Sequence, residues 1–337
     1  IAGAAAKERA VINVCDAYAD PRFNAEIDRK TGFCTRNLLT FPLENLSGEL
    51  MGVLQALNRA DGPFTLTDED LARDLAAQAG IALHRYALLE QYAQKKRMAH
   101  DLELARKIQQ QLFPKTNPQV AGYDIAGWNL SADETGGDCY DFIPLPDGRL
   151  AVLLADATGH GIGAALVIAE CRALIRAMLS VTQDLATVAS RVNNILSQDL
   201  LEGRFVTAFV GLLDPQQHRL DYVAAGQGPL LFVSAAGVEA RGADGLPLAV
   251  MPEVEIPAAK FDFPPGATAV LLTDGFFETD DAAGEQFGED RVIAFVRERP
   301  DVPLERLIAE LHGAIQQFRG AAPQSDDLTA VLIRRRA

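Results

Sequence analysis

The chain has 337 residues, 48% of them hydrophobic, enough to bury a large core and to divide into about two domains. Its net charge of −15 and pI near 4.8 argue against a sequence-independent grip on nucleic acid and against docking on anionic lipid, and otherwise serve solubility. No apolar run reaches the ~20 residues that cross a bilayer, and no signal peptide is evident. Cys15, Cys34, Cys139 and Cys171 include no C-x-x-C pair, which disfavours a zinc site or disulfide framework. Together these features point to a reducing compartment, the cytoplasm.

Residues 1–80 read as mixed α/β structure. VINV (11–14), NLLTFPL (37–43) and ELMGVLQAL (49–57) are strand-like, and DGPF (61–64) turns into a helix. Thr67 is the expected N-cap of that helix, with Asp68, Glu69 and Asp70 in its first turn. From Leu71 to Leu112 the sequence is rich in helix formers, with Gly80 as its one glycine, and Pro114 ends the stretch. Ile81, Leu88, Tyr92, Ala99 and Leu102 follow a 3/4 spacing, but Arg85, Lys95, Arg106 and Gln109 interrupt the seam. Residues 81–113 therefore read as a helical linker. It either lies on its neighbours or pairs with a second copy as an imperfect coiled coil.

Residues 114–337 form the third region. Strands are expected at 123–130, 139–145, 149–156, 204–214, 219–226, 229–235, 268–274 and 328–335, and helices at 163–179, 185–201, 290–299 and 304–319. Strands, two helices, strands and two more helices do not alternate as a doubly wound sheet does; the order suits antiparallel sheets covered by helices, an α+β class. Four acids recur at strand ends: Asp138 in GGD, Asp156 after LLA, Asp274 in LLTDG, and Asp326 beside Asp327 before LTAVLIRR. Singly, each could be a turn residue. Brought to one edge, they would repel and shift one another's pKa unless cations neutralised them, and an oxygen-only set suits Mg²⁺ or Mn²⁺. Successive side chains of a strand alternate faces, so Asp326 and Asp327 should not share one ion.

Eight segments in register, ARKIQQQLFP (105–114), GGDCYDF (136–142), DATGHGIGAAL (156–166), RFVTAFVG (204–211), AAGQGPL (224–230), LLTDGFFE (271–278), FGEDR (287–291) and DDLT (326–329), resemble the SpoIIE-type branch of the metal-dependent protein phosphatases. The resemblance implies an αββα sandwich. It also implies two Mn²⁺ or Mg²⁺ ions, with Asp156 bridging them and the Ala157 carbonyl on the second. Asp274 and Asp326 would be further ligands, and Asp138 a ligand largely through water. Catalysis would run through a water shared by the ions, acting on phosphoserine or phosphothreonine. Asp327 is left as a supporting or turn acid. Two departures stand out: Gln227 replaces the histidine of AGH, which puts substrate handling there in question, and Ala249 replaces the glycine of PLG. His160 reads as a structural residue of the metal loop, and no arginine can be assigned to the phosphate.

The first region is similar to the C-terminal part of a GAF sensor domain. Asn58, Arg59, Phe64, Asp68 and Glu69 match the N-K-x-F-x-x-x-D-E signature of cyclic-nucleotide-binding members, with Arg59 in place of lysine. That signature holds the fold as well as marking a ligand, which leaves room for a small-molecule ligand. The combined expectation is a GAF-regulated phosphatase acting on a STAS-type anti-anti-sigma phosphoprotein, dimeric through its linker. The competing expectations are a partner-binding scaffold with little turnover and, against the charge, a metal-dependent nuclease.

Overall fold

The computed structural model describes residues 1–337. The chain forms two compact units, Ile1–Ala99 and His100–Ala337.

In the first unit, α1 (Ala2–Glu8), β1 (Ile12–Val14), α2 (Ala25–Thr31), β2 (Leu38–Glu44) and β3 (Leu50–Leu57) precede a long helix, α3 (Leu66–Gln110), which runs on into the second unit. The strands form one antiparallel sheet in the order β1-β2-β3. The two short helices were not legible in the sequence: each spans 7 residues, too short for a helical period to show.

The start of α3 differs from expectation. Thr65, not Thr67, caps it: the Asp68 amide donates to the Thr65 hydroxyl oxygen at 3.4 Å and the Thr65 amide donates back to Asp68 Oδ2 at 2.7 Å, a reciprocal box. Gly80 also gains a reason. A Cβ there would lie 2.0 Å from the Glu44 carbonyl oxygen, so only glycine lets α3 pass the end of β2.

The second unit is built from β4 (Tyr123–Leu130), β5 (Asp138–Pro144), β6 (Leu150–Ala157), α4 (Gly161–Leu179), α5 (Leu185–Asp199), β7 (Val206–Asp214), β8 (Arg219–Ala225), β9 (Leu230–Ser234), β10 (Gly237–Arg241), β11 (Ala259–Asp262), β12 (Thr268–Leu272), α6 (Gly275–Glu278), α7 (Glu289–Arg297), α8 (Leu304–Arg319) and β13 (Leu328–Arg335). Two five-stranded antiparallel sheets result, β10-β9-β12-β13-β4 and β11-β8-β7-β6-β5.

Three apolar layers hold the four-tiered sandwich together. Leu154, Phe209 and Tyr222 of one sheet meet Phe232, Leu271 and Val331 of the other in the central layer. On the outer face of the first sheet, Ile168, Cys171 and Ile175 of α4 and Val188 and Val192 of α5 pack on Leu153 and Val210. On the outer face of the second, Leu307, Ile308 and Leu311 of α8 pack with Val292 of α7 on Val270 and Leu332. The fold is the αββα sandwich expected. Strands β10 and β11 escaped the sequence reading because they are edge strands, four or five residues long, with GVEAR and AKFD offering no apolar run.

Candidate active site

The register of the β5–β6 pair sets Asp138 directly opposite Asp156. Directly opposed residues of an antiparallel pair lie closest on the sheet, and like charges there repel. Asp138 is 2% exposed, and its Oδ2 accepts from the Thr273 hydroxyl at 2.8 Å and the Thr329 hydroxyl at 2.5 Å. Those threonines stand beside Asp274 and Asp327, and the Thr273 amide donates to the Thr329 carbonyl at 3.0 Å. The ends of β5, β6, β12 and β13 are thereby tied into one locus.

Electrostatics reports the same gathering. Burial, then Asp156 and Asp327, hold the Asp138 carboxyl well above the ordinary carboxylate range. Burial, then Asp274 and Asp326, push Asp156 up to about 7. Asp274 is raised by burial and by Glu278, and Asp326 by burial with Asp274 and Asp327 beside it. Carboxyls raised first by burial and then by one another mark a candidate site for positive charge.

Asp326 and Asp327, both just ahead of β13, differ in exposure. Asp326 is exposed, whereas Asp327 is 7% exposed and faces the loop before β5. The Asp327 carboxylate accepts from the Ala132 amide at 2.7 Å and the Asp138 amide at 3.3 Å, so it organises the backbone around Asp138.

The glycine of LLTDG is demanded by packing rather than by a turn. β12 ends at Leu272, and Asp274 already has helical geometry (φ −60°, ψ −29°) as the N-cap of α6. Gly275 is not a turn residue with positive φ. A Cβ at this position would sit 2.1 Å from the Asp327 carbonyl oxygen, so glycine is required for the two acid-bearing segments to approach.

Three further residues are placed anew. Gln227 is 3% exposed; its Nε2 donates to the Leu272 carbonyl at 2.9 Å and its Oε1 accepts from the Thr207 hydroxyl at 3.2 Å. It ties β7 of one sheet to β12 of the other. His160, beside the loop, is on the surface with its Nδ1 2.9 Å from Asp133 Oδ2. Arg204, exposed, bonds the Thr158 carbonyl with its guanidinium, two residues beyond Asp156. Its role was not legible because 46 residues separate it from that loop.

The donor set fits hard cations: carboxylate oxygens plus a backbone carbonyl, with no cysteine or histidine among them. The Ala157 amide donates to the Gly137 carbonyl at 3.0 Å, and a Cβ on Gly137 would stand 2.7 Å from the Ala157 carbonyl oxygen, so glycine at this position keeps that oxygen clear. No three His, Cys, Asp or Glu side chains converge as a finished cage.

In the first unit the GAF signature residues bond within the fold, one pair of them to each other. Asn58 Oδ1 accepts from the Arg36 amide and its Nδ2 donates to the Cys34 carbonyl, Arg59 pairs with Asp68 at 2.9 Å, and Asn13 Nδ2 bridges the Phe64 carbonyl and Glu69 Oε1.

An αββα sandwich with acids gathered at the ends of its central strands defines the PP2C-type architecture. The chain belongs to the SpoIIE family: the family model for stage II sporulation protein E matches residues 146–336, and a GAF domain model matches residues 2–83. It is 25% identical over 242 residues to the phosphoserine phosphatase RsbP of Bacillus subtilis (strain 168), an alignment covering 69% of this chain and 57% of RsbP. The chain thus spans little more than half of that relative. Among solved structures it is similar to the SiaA-PP2C domain of Pseudomonas aeruginosa, with a TM-score of 0.62, 23% identity, and coverage of 73% of this chain and 98% of that one. It is also similar to the RsbU and RsbW domains of Rv1364c from Mycobacterium tuberculosis, with a TM-score of 0.55, 26% identity, and coverage of 65% and 62%. No helix is long and apolar enough to cross a membrane.

Proposed function

We propose that this chain is a cytoplasmic protein phosphatase for phosphoserine or phosphothreonine, dependent on two Mn²⁺ or Mg²⁺ ions, that acts in bacterial signalling. The observation that carries the reading is the gathering of Asp138, Asp156, Asp274 and Asp326 from four separate strand ends, with Asp138 and Asp156 in direct register. These carboxylates and the Ala157 carbonyl would hold the ions. When bound, divalent cations supply a water acidic enough to attack near neutral pH and offset charge on the phosphoryl oxygens.

The chain's own residues do the rest. The Thr273 and Thr329 hydroxyls fix the orientation of Asp138. Asp327 holds the backbone behind it. Arg204, at the Thr158 loop with donors left over after its one bond there, is the guanidinium suited to orient the phosphate before attack. This arrangement needs no cysteine nucleophile and no Ser-His-Asp triad.

The target we propose is a phosphorylated STAS-type anti-anti-sigma regulator, supported by the likeness to RsbP and to the RsbU domain. Control would come from the GAF domain through α3. Two features support that arrangement: a cavity of about 490 Å³ in the first unit lined by Phe23, Ile27, Phe33 and Gln55, and an exposed apolar run on α3 of Ile81, Leu88, Leu89 and Tyr92 suited to pairing with a second copy. The reading as a non-catalytic scaffold rests on Gln227 and on a dimer that an incomplete sensor would fail to form; the burial of the Gln227 side chain speaks against the first of these. Hydrolysis of p-nitrophenyl phosphate with and without Mn²⁺, wild type beside Asp274→Asn, tests the reading: metal-dependent turnover lost in the variant supports it, and turnover indifferent to both overturns it.

A further inference from the structure

The segment ARKIQQQLFP is accounted for neither by the acid cluster nor by an apolar seam. Within it, Gln109 occupies the last turn of α3 and is only 9% exposed, unusual for a glutamine at the end of a surface helix. Its side-chain amide closes on a single residue of the acid-bearing loop: Nε2 donates to the Gly136 carbonyl at 2.6 Å, and Oε1 accepts from the Gly136 amide at 3.0 Å. The pair copies the two-way bonding that a neighbouring strand would give, just where β5 has not yet begun.

Gly136 is also packed too closely to carry a side chain. A Cβ there would lie 2.3 Å from Asp327 Oδ2 and 2.7 Å from the Ser131 hydroxyl. One residue on, Gly137 faces the Ala157 carbonyl; one further, Asp138 stands opposite Asp156. The neighbouring Thr135 hydroxyl is buried with no hydrogen-bond partner, so the loop's own polar groups do not fully secure it.

We infer that Gln109 is a positioning residue through which the end of α3 sets the Gly136–Asp138 backbone and hence the cation site. A small rotation of the last helical turn withdraws both bonds together and frees the peptide carrying Asp138. The inference rests on the proposed metal-dependent activity and adds the contact by which the helix would govern it.

The test uses the full chain with Gln109→Leu, close in shape but unable to bond, and Gln109→Glu, which still accepts from the Gly136 amide but no longer donates when ionised. Mn²⁺ affinity is measured by calorimetry, and amide hydrogen exchange is followed across residues 131–138. Gln109→Leu should weaken Mn²⁺ binding by tenfold or more and speed exchange in that segment, with Gln109→Glu between it and wild type. At saturating Mn²⁺ the KM for p-nitrophenyl phosphate should stay within about twofold. Wild-type Mn²⁺ affinity and exchange in a folded Gln109→Leu overturns the inference; should that variant not fold, unchanged affinity and exchange in Gln109→Glu does so. A wild-type chain that binds no Mn²⁺ refutes the proposed function instead.

Discussion

Gly275→Ala isolates the packing that joins two acid-bearing segments. The new methyl carbon would start 2.1 Å from the Asp327 carbonyl oxygen and 3.1 Å from Leu328 Cδ2. The nearer obstacle is backbone, which cannot swing aside as a side chain would, so α6 and the start of β13 must part by about 1 Å. Overpacking of this kind costs about 1–3 kcal/mol. It also separates Asp274 from Asp326, and a misplacement of about 1 Å at a reacting centre costs on the order of 100-fold in turnover. Gly163→Ala in α4 is the control, because a Cβ there meets nothing within 4 Å and alanine favours a helix. Urea denaturation and Mn²⁺-dependent hydrolysis of p-nitrophenyl phosphate should show Gly275→Ala less stable and nearly inactive, and Gly163→Ala at least as stable as wild type. A Gly275→Ala protein with wild-type stability and turnover would refute the argument that glycine is there for close approach.

Ala249 adopts φ +68°, left-handed backbone that costs an alanine about 1–2 kcal/mol; Ala249→Gly relieves this at about 0.4–1 kcal/mol of added unfolded-chain entropy, so the denaturation midpoint should rise slightly, and a clear fall contradicts the account. Asp28 accepts from the Thr35 amide at 2.6 Å and hydroxyl at 2.9 Å and from the Tyr18 hydroxyl at 3.1 Å, and the Thr35 amide leads in holding its pKa below the ordinary value. Its contribution is therefore present above pH ~4 and lost as pH falls through the lowered value; the destabilisation caused by Asp28→Asn should shrink on acidification, and a pH-independent difference would count against it. Sedimentation at tens of micromolar should show a dimer that Leu88→Glu with Tyr92→Glu converts to monomer; a wild-type monomer refutes pairing through α3.

What could be read from the sequence follows from what leaves a local trace. The central strands, such as RLAVLLAD and LTAVLIRR, carry long apolar runs that only a doubly covered sheet explains, and the amphipathic helices 185–201 and 304–319 show their period plainly. The acids were visible because each ends such a run. Their supports were not. Thr273, Thr329, Gln109 and Asp327 act across separations of 27 to 195 residues, which only the folded register brings together. Gly275 and Gln227 are visible in the sequence but their partners are not: the first is required by the Asp327 carbonyl of another segment, and the second bridges the Thr207 hydroxyl and the Leu272 carbonyl of two sheets. Ala249 makes a similar point: its φ, not its sequence, explains why glycine would suit that position.

The most direct test of the central claim is inorganic phosphate release from a phosphoserine peptide by the full chain, with Mn²⁺ present or chelated, wild type beside Asp156→Asn. The account predicts release that requires Mn²⁺ and is abolished in the variant while its fold persists. Release that continues in Asp156→Asn, or that proceeds equally with the metal chelated, would contradict it.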